Sequence, residues 1–225
     1  MDRNKRKKLI IWIMALLPLL VVALFYGALP AEIPTGWNLH GPIRYTEKND
    51  IWYVACLGTV IAAFFTILPS IDPKGENYIR FMDVYETLII VMVAFCGCIT
   101  GIVVSESLRP GEIHVGRLIT LLVGLLFLFL GNLMPKIKNN FFLGIRNPWT
   151  LSDPDIWNSA HRVGGHVFFI FGLCVAVLAL LPIWAVLIYI MTVVGVISIT
   201  VVPYLYSYIL YRRKKKRAVR PDGEE

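Results

Sequence analysis

The sequence predicts an all-α integral membrane protein with six transmembrane helices and both termini in the cytoplasm. Of the 225 residues, 57% are hydrophobic and only 16% are charged, and the mean hydropathy is +0.66. Ordinary soluble domains carry about 25% charged residues. A transmembrane helix needs about 20 mostly apolar residues, and runs of that kind lie at residues 9–29, 51–68, 84–104, 118–134, 163–181 and 183–210.

The positions of the basic residues predict the orientation. Of the 22 Lys and Arg residues, 18 fall at the two termini and in the loops after the second and fourth spans, and only 4 fall on the other side. Cytoplasmic segments carry the excess of Lys and Arg in membrane proteins. The net charge of +7 therefore indicates attraction to the anionic lipid of the inner leaflet, and we expect no direct contact with nucleic acid.

The first span is expected to be an uncleaved signal anchor. Five basic residues precede it, but the run is long and no small-x-small cleavage motif follows at Leu29. Pro18 lies inside it and predicts a kink. The loop that follows, residues 30–50, is predicted to face outward, and its prolines and glycines oppose a helix.

Two features of the third span bear on packing and charge. Gly97 and Gly101 form a Gly-x-x-x-Gly pattern, which lets helices approach closely, and we expect it to serve packing within the chain. Glu86 is the one acidic residue that could enter a span. Because it lies one turn from the predicted inner boundary, we expect an interfacial carboxylate that reaches water.

The loop between the fourth and fifth spans, residues 132–166, is the long polar stretch of the second half of the chain. Its cations are interleaved with aromatic residues, which is typical of a segment at the membrane surface. Ser152 and Asp153 precede Pro154, which is the pattern of a helix start. We therefore predict an amphipathic cytoplasmic loop-helix that begins near Pro154 and runs into the fifth span.

The residue pattern predicts neither an enzyme nor a cofactor or metal site. Its four cysteines, Cys56, Cys96, Cys98 and Cys174, lie in predicted spans without metal-ligand spacing. No nucleophile with a base, no catalytic carboxylate pair and no nucleotide loop can be assembled from the sequence.

Several motifs resemble one known family. The stretches MPKIK at residues 134–138 and GIRNPWTL at 144–151, with Trp157, His161 and Arg162, resemble the signature of SdpI-type bacterial immunity proteins. The resemblance implies a multi-pass protein of the bacterial plasma membrane that protects its own cell from a secreted membrane-active peptide toxin. In the sensing form of such systems, the toxin-occupied protein also holds a small cytoplasmic repressor at the membrane.

The resemblance also implies two sets of site residues. The outer loop resembles a short N-terminal module that often accompanies the family core, and its candidate ligand contacts are Pro34, Trp37, Asn38, His40 and Gly41. The candidate cytoplasmic motif consists of Asn132, Pro135, Lys136, Gly144, Arg146, Pro148, Trp149, Thr150, Trp157, His161, Arg162 and His166. Simpler interpretations stay open for some of them: Trp37 as an interfacial anchor, His40 as a solvated imidazole, and Arg162 with His166 as headgroup contacts.

We expect one membrane domain over residues 1–225. It consists of an N-terminal module at 1–104, a core at 105–211 and a basic, disordered cytoplasmic tail at 212–225. Two other functions remain open from the residues alone. One is a small transporter or channel-like protein whose loop at 132–166 acts as an inner gate. The other is a membrane enzyme with His40 or His161 as acid or base.

Overall fold

The computed structural model describes residues 3–38, 41–181 and 185–219 of the chain. Its long helices are α1 (Arg3–Phe25), α2 (Ile51–Ile71), α3 (Met82–Leu108), α4 (Val115–Leu133), α6 (Pro154–Leu180) and α7 (Ala185–Val219). A five-residue helix, α5 (Pro148–Ser152), precedes α6. Short 3-10 turns lie at Tyr26–Ala28, Lys48–Asp50, Gly75–Phe81 and Met134–Lys136.

The six long helices contain stretches that are long and apolar enough to cross a membrane, and they coincide with the six predicted spans. The prediction of a helix that starts near Pro154 is confirmed, because Asp153 accepts hydrogen bonds from the backbone N–H groups of Asp155 and Ile156. The expected disorder of the basic tail is wrong for residues 212–219, because α7 continues through them.

A β-hairpin follows α1 and is a small addition to the otherwise all-α architecture. Strands β1 (Glu32–Asn38) and β2 (Gly41–Glu47) pair antiparallel, and the register shifts on both sides of Gly36. Ile33 of β1 is fully buried in a cluster with Val22 of α1 and Val103 of α3. Pro34 and Gly36 are poor strand residues, so the local composition indicated turns. The pairing of two segments decided the strand instead.

The helices run alternately, so the bundle has two unlike ends. One end, called the hairpin end below, carries β1, β2 and the connection from α3 to α4. The other, called the signature end, carries the connections from α2 to α3 and from α4 to α6, with the start of α1 and the end of α7. An aromatic cluster lies near the signature end, where Tyr78 and Tyr85 stack edge to face and Trp157 belongs to the same buried core.

Glycines allow α4 and α6 to pack backbone against backbone. A Cβ added to Gly131 would lie 2.4 Å from the backbone nitrogen of Phe169, and one added to Gly172 would lie 2.4 Å from that of Leu128. Such contacts let helices approach more closely than other side chains permit. The expected close packing at Gly97 and Gly101 is not found: Gly97 meets Pro18 at an ordinary 3.6 Å, and a Cβ on Gly101 would touch nothing within 4 Å.

Glu86 corrects the expectation of a carboxylate that reaches water. Its side chain is only 3% exposed, and the Nζ of Lys7 on α1 lies 3.7 Å from its Oε2. Within the described part of the chain, no hydrogen bond reaches either carboxylate oxygen. The position one turn inside α3 does not give access to solvent, because α1 packs alongside this part of α3.

Candidate functional site

Residues 134–153, called the signature loop below, cross the signature end between α4 and α6. The segment after the 3-10 turn Met134–Lys136 has no regular structure until α5 begins at Pro148. Irregular backbone at such a place needs hydrogen-bond partners for its N–H and C=O groups. The signature loop obtains them from side chains, several of which come from distant parts of the sequence.

Asp72, between α2 and α3, anchors the middle of the signature loop. Its Oδ2 accepts hydrogen bonds from the Tyr78 hydroxyl and the Phe141 backbone N–H, both at 2.9 Å, and its Oδ1 accepts from the Lys74 N–H at 2.7 Å. The residue is 7% exposed. A buried carboxylate with three donors is well satisfied, so it fixes the loop to the preceding connection.

Two asparagines organise the same stretch. Asn139 accepts a 2.7 Å hydrogen bond from the Lys74 ammonium and donates to the Thr150 carbonyl at 3.3 Å. Asn140 is fully buried, and its Oδ1 accepts from the N–H groups of Phe142 at 2.9 Å and Leu143 at 2.6 Å. Asn140 thus takes the place of a backbone partner for a tight turn.

His161 of α6 holds the turn at Gly144. Its Nε2 accepts a 3.0 Å hydrogen bond from the Ile145 N–H, and its Nδ1 donates to the Trp157 carbonyl at 2.9 Å. An acceptor Nε2 and a donor Nδ1 together define a neutral imidazole. The ring stacks on Trp157 with centroids 4.0 Å apart, and the Trp157 indole donates to the Ile137 carbonyl at 2.9 Å.

Gly144 is required at this turn for two reasons. Its φ of +95° lies in the region that residues with a side chain rarely adopt. A Cβ at this position would lie 2.0 Å from the Nε2 of His161. The turn and the imidazole therefore fit together only when residue 144 lacks a side chain.

Asn147 and Thr150 form a capping box at the start of α5. The Asn147 side chain accepts from the Thr150 N–H at 2.9 Å, and the Thr150 hydroxyl accepts from the Asn147 N–H at 3.0 Å. Pro148 occupies the first helical turn, where its missing N–H costs nothing. The Asn147 amide also donates to Ser207 of α7 at 2.8 Å, so the cap connects the loop to the last helix.

Arg146 is exposed beside this framework, and Trp149 is part-buried against α7. Arg146 is exposed, and its Nη1 donates to the Phe141 carbonyl at 2.9 Å across the loop. Trp149 packs against three tyrosines of α7 at centroid distances of 5.1–6.4 Å, namely Tyr204, Tyr208 and Tyr211. Because of these contacts, a movement of the signature loop would shift Trp149 against α7.

A second link to α7 is ionic. The Nζ of Lys214 lies 2.7 Å from Asp153 and 2.8 Å from Asp155, at the start of α6. The hydrogen bond from Lys214 is the main cause that lowers the pKa of Asp153 below its usual value, with smaller contributions from the backbone N–H groups that it caps. This contact joins the basic end of α7 to the signature loop.

Each end of the bundle has a cavity. At the signature end, a mostly apolar cavity of about 510 Å³ lies beside the signature loop and is lined by Gly144, Ile145, Arg146, Leu130, Phe168 and Tyr204, among others. At the hairpin end, a more polar cavity of about 350 Å³ is lined by Trp37, Asn38, Pro42, Glu106, His114 and Arg117, with neighbouring backbone.

Sequence comparison relates this loop to a known family. Residues 136–207, which contain most of the signature loop with α6 and much of α7, match the SdpI/YfhL protein family. The whole chain is also similar to the immunity protein SdpI of Bacillus subtilis (strain 168), with 25% identity over 209 residues that cover 92% of this chain and 97% of that protein.

The chain is therefore similar to the SdpI/YfhL family over residues 136–207 and to one immunity protein over most of its length. Together with the six candidate spans, this similarity indicates a multi-pass membrane protein related to that family. No solved structure matches the chain. In the present structure, the matched region consists of most of the signature loop, α6 and much of α7.

The structure brings together most of the predicted cytoplasmic motif. Gly144, Thr150, Trp157 and His161 meet in one hydrogen-bonded network, and Pro148 begins α5 beside them. Pro135 packs against α6, where a Cβ on Gly165 would lie 2.8 Å from its Cγ. Asn132, Lys136, Arg162 and His166 are exposed and lie outside the network.

The predicted ligand contacts of the outer loop lie in different environments. Pro34 is buried on β1, Trp37 and Asn38 line the hairpin-end cavity, and Gly41 begins β2. His40 lies outside the described residues. Sequence reasoning missed Asp72, Asn139 and Asn140 at the signature end and the burial of Glu106 at the hairpin end. The two asparagines gave a usable signal, because neighbouring Asn residues between apolar segments are typical of side-chain-supported turns.

Proposed function

We propose that this protein is an immunity protein that protects its own cell from a secreted, membrane-active peptide toxin. The observation that carries the proposal is the similarity to immunity protein SdpI over nearly the full length of both chains. The match extends beyond the region that defines the family. It includes the helices and hairpin that precede the signature loop.

In this proposal the signature end lies in the cytoplasm and the hairpin end lies outside. The supporting observation is charge: of the 21 Lys and Arg residues that the structure describes, 17 belong to segments of the signature end. Exposed cations such as Lys136, Lys138 and Arg213 would meet anionic headgroups of the inner leaflet. The toxin would meet the protein at the hairpin end, in or near the outer leaflet.

The signature end would report that the toxin is bound. Trp149 and Lys214 connect the signature loop to α7, so a shift of α7 relative to the other helices would alter the exposed face around Arg146. A toxin can favour the altered arrangement only if it binds the two arrangements with different affinity. A small cytoplasmic repressor held on this face would couple gene expression to exposure.

The test is a survival assay in a toxin-sensitive bacterium that expresses the chain and is challenged with a secreted membrane-active peptide of the Sdp type. We expect the wild type to survive, and Arg146→Ala and Trp149→Ala to lose protection at equal membrane level. Arg146 is exposed and Trp149 is part-buried against α7, and neither belongs to the buried hydrogen-bonded network around His161, so we expect both variants to insert into the membrane.

Lys138→Ala is the matched control, because Lys138 is an exposed cation of the same loop. It should protect like the wild type. Full protection by both Arg146→Ala and Trp149→Ala would refute the assignment of the signature loop. Absence of protection by the wild type would refute the immunity function.

One observation favours a second function, a small transporter or channel-like protein. The cavity of about 510 Å³ adjoins Gly144–Arg146, so the signature loop could act as a gate to it. Solute flux into vesicles that contain the purified protein and no toxin would favour this function over immunity. Flux no greater than in empty vesicles would argue against it.

A further inference from the structure

The hairpin-end cavity has a buried carboxylate with one unused oxygen. Glu106 lies near the end of α3 and is 4% exposed. Its Oε1 accepts a 3.1 Å hydrogen bond from the Gly111 N–H, whereas its Oε2 has no partner among the described residues. A shielded carboxylate oxygen without a donor is rare in folded proteins. It therefore requires an explanation.

The same cavity has an unused donor. The indole Nε1 of Trp37 is shielded from solvent and has no hydrogen-bond partner among the residues that the structure describes. Trp37 is part-buried on β1 and lines the cavity together with Glu106. Buried indole N–H groups usually find a partner. The residues that line the cavity thus include one unused acceptor and one unused donor.

The charges around the cavity limit which ligand could form hydrogen bonds with both Oε2 of Glu106 and Nε1 of Trp37. A phosphate or other simple anion would be repelled by Glu106. A bare metal cation would find a single free carboxylate oxygen, whereas Ca²⁺ takes about 6–8 oxygen ligands, and it would face the guanidinium of Arg117. Neither ion would satisfy the Trp37 N–H and the Glu106 oxygen together.

We propose that this cavity binds a peptide segment, whose backbone N–H donates to Oε2 of Glu106 and whose backbone C=O accepts from Nε1 of Trp37. A peptide unit is the common biological group that presents one donor and one acceptor side by side. The inference rests on the proposed function, since the peptide would be part of the secreted toxin. It names Glu106 as a binding residue that the outer-loop motif does not include.

The cavity is open enough for such a segment but not preformed around it. Its volume of about 350 Å³ is at the lower end of the usual range for ligand sites. Because Oε2 and Nε1 are shielded, binding requires small rotations of both side chains toward the cavity. His114 and Arg117 are exposed at its rim and would contact the parts of the peptide that extend outward.

The experiment measures binding of a fluorescently labelled, purified peptide of the Sdp type to the full-length protein in lipid nanodiscs. In Glu106→Gln the amide oxygen keeps the hydrogen bond from Gly111, but an NH₂ group replaces the unused acceptor. We expect the Kd to rise at least about tenfold, as for the loss of a hydrogen bond to a charged group. Trp37→Phe keeps the ring and removes the donor, so we expect a rise of about fivefold.

Glu112→Gln is the matched control. Glu112 lies in the same connection, is exposed, pairs with Arg109 at 3.5 Å and does not line the cavity. Its Kd should equal that of the wild type. The thermal stability of all variants is measured alongside, so that a weakened fold is separated from weakened binding.

The outcomes distinguish the inference from the function on which it rests. If the wild type binds the peptide and Glu106→Gln binds it equally well, the inference is overturned and the immunity function stands. If the wild type neither binds the peptide nor protects cells, both fail. Mg²⁺ or Ca²⁺ alone is titrated as well. If either ion raises the Tm of the wild type but not that of Glu106→Gln, the ligand of the cavity is a cation and not a peptide.

Discussion

The two ends of the bundle treat their buried polar groups differently. At the signature end, Asp72, Asn140, Asn147, Thr150 and His161 are buried and each makes hydrogen bonds. Glu86 is the exception there, because its oxygens accept no hydrogen bond from the described residues and only the Lys7 ammonium lies near, 3.7 Å from Oε2. At the hairpin end, shielded side-chain atoms lack a partner among the described residues, namely Oγ1 of Thr35, Nε1 of Trp37, Oγ1 of Thr46 and Oε2 of Glu106.

The difference separates residues that maintain the fold from residues that are available for binding. A satisfied buried network makes one arrangement unique and is costly to disturb. An unsatisfied group gains free energy when a ligand supplies its partner. The residues that resemble the family signature therefore lie at the signature end, where they maintain the fold. The polar groups best placed to recognise a ligand lie at the hairpin end.

The largest expected effect concerns Gly144. Replacing it with Ala forces a side chain into a positive φ and against His161, so we expect a loss of about 3 kcal/mol in the free energy of unfolding. The measurement is the fraction of protein that remains monodisperse in detergent after heating, with the membrane level as a second readout.

Gly101→Ala is the control for that prediction. A Cβ there meets nothing within 4 Å, and Ala favours helix by about 1 kcal/mol over Gly, so stability should hold or rise slightly. If Gly144→Ala were as stable as Gly101→Ala, the signature end would not be the rigid framework described above.

A pair of isosteric changes compares the two ends directly. Thr150→Val removes the hydroxyl that pairs with the Asn147 N–H and the Ile145 carbonyl, and we expect a loss of about 1–3 kcal/mol. Thr46→Val at the hairpin end removes a shielded hydroxyl that has no partner among the described residues, and should be neutral or stabilising.

Thermal unfolding of Thr150→Val and Thr46→Val under identical conditions checks the contrast. An equal loss in both variants would show that the Thr46 hydroxyl has a partner after all. The two ends would then not differ in the way that the comparison requires.

The smallest expected effect concerns Lys214. This exposed lysine lowers the pKa of Asp153, so its contribution is complete above the usual pKa of an aspartate, near 4, and is lost as the pH falls through the lower pKa of the folded state. Lys214→Ala should lower Tm slightly at pH 7, and the difference from wild type should shrink in strong acid.

Lys215→Ala serves as the control for Lys214, because the neighbouring lysine is exposed and is not part of the contact with Asp153 and Asp155. Melting curves from pH 7 down to pH 3 make the comparison. A difference that stays constant over this range would indicate that the lysine acts through packing and not through the carboxylates.

Much of the architecture could be predicted because it depends on local physics. An apolar run of about 20 residues has one favourable arrangement in a bilayer, a helix whose backbone hydrogen bonds are internal. For the same reason the start of α6 was predictable, since Asp153 and Pro154 act within a single turn. The glycines that join α4 to α6 recur seven residues apart, at Gly124 and Gly131 and at Gly165 and Gly172, and this spacing was a readable but overlooked signal.

The candidate sites were less predictable because their partners are far apart in sequence. Asp72 meets Phe141 across 69 residues, and neither neighbourhood indicates the other. Glu86 and Glu106 carry the charge of surface residues, yet helix packing buries both. The hairpin formed where Pro34 and Gly36 argued for turns, because Ile33 gains burial in the core.

The sequence by itself determined the six apolar helices, the resemblance to an immunity family and the asymmetry of charge between the two ends. The helices and the charge asymmetry follow from composition and periodicity, which act within one segment, and the resemblance rests on short motifs such as GIRNPWTL at residues 144–151. Only the tertiary structure decided which polar groups are satisfied and which are left without a partner. That property depends on the meeting of distant segments, so it could be known only once the helices were packed.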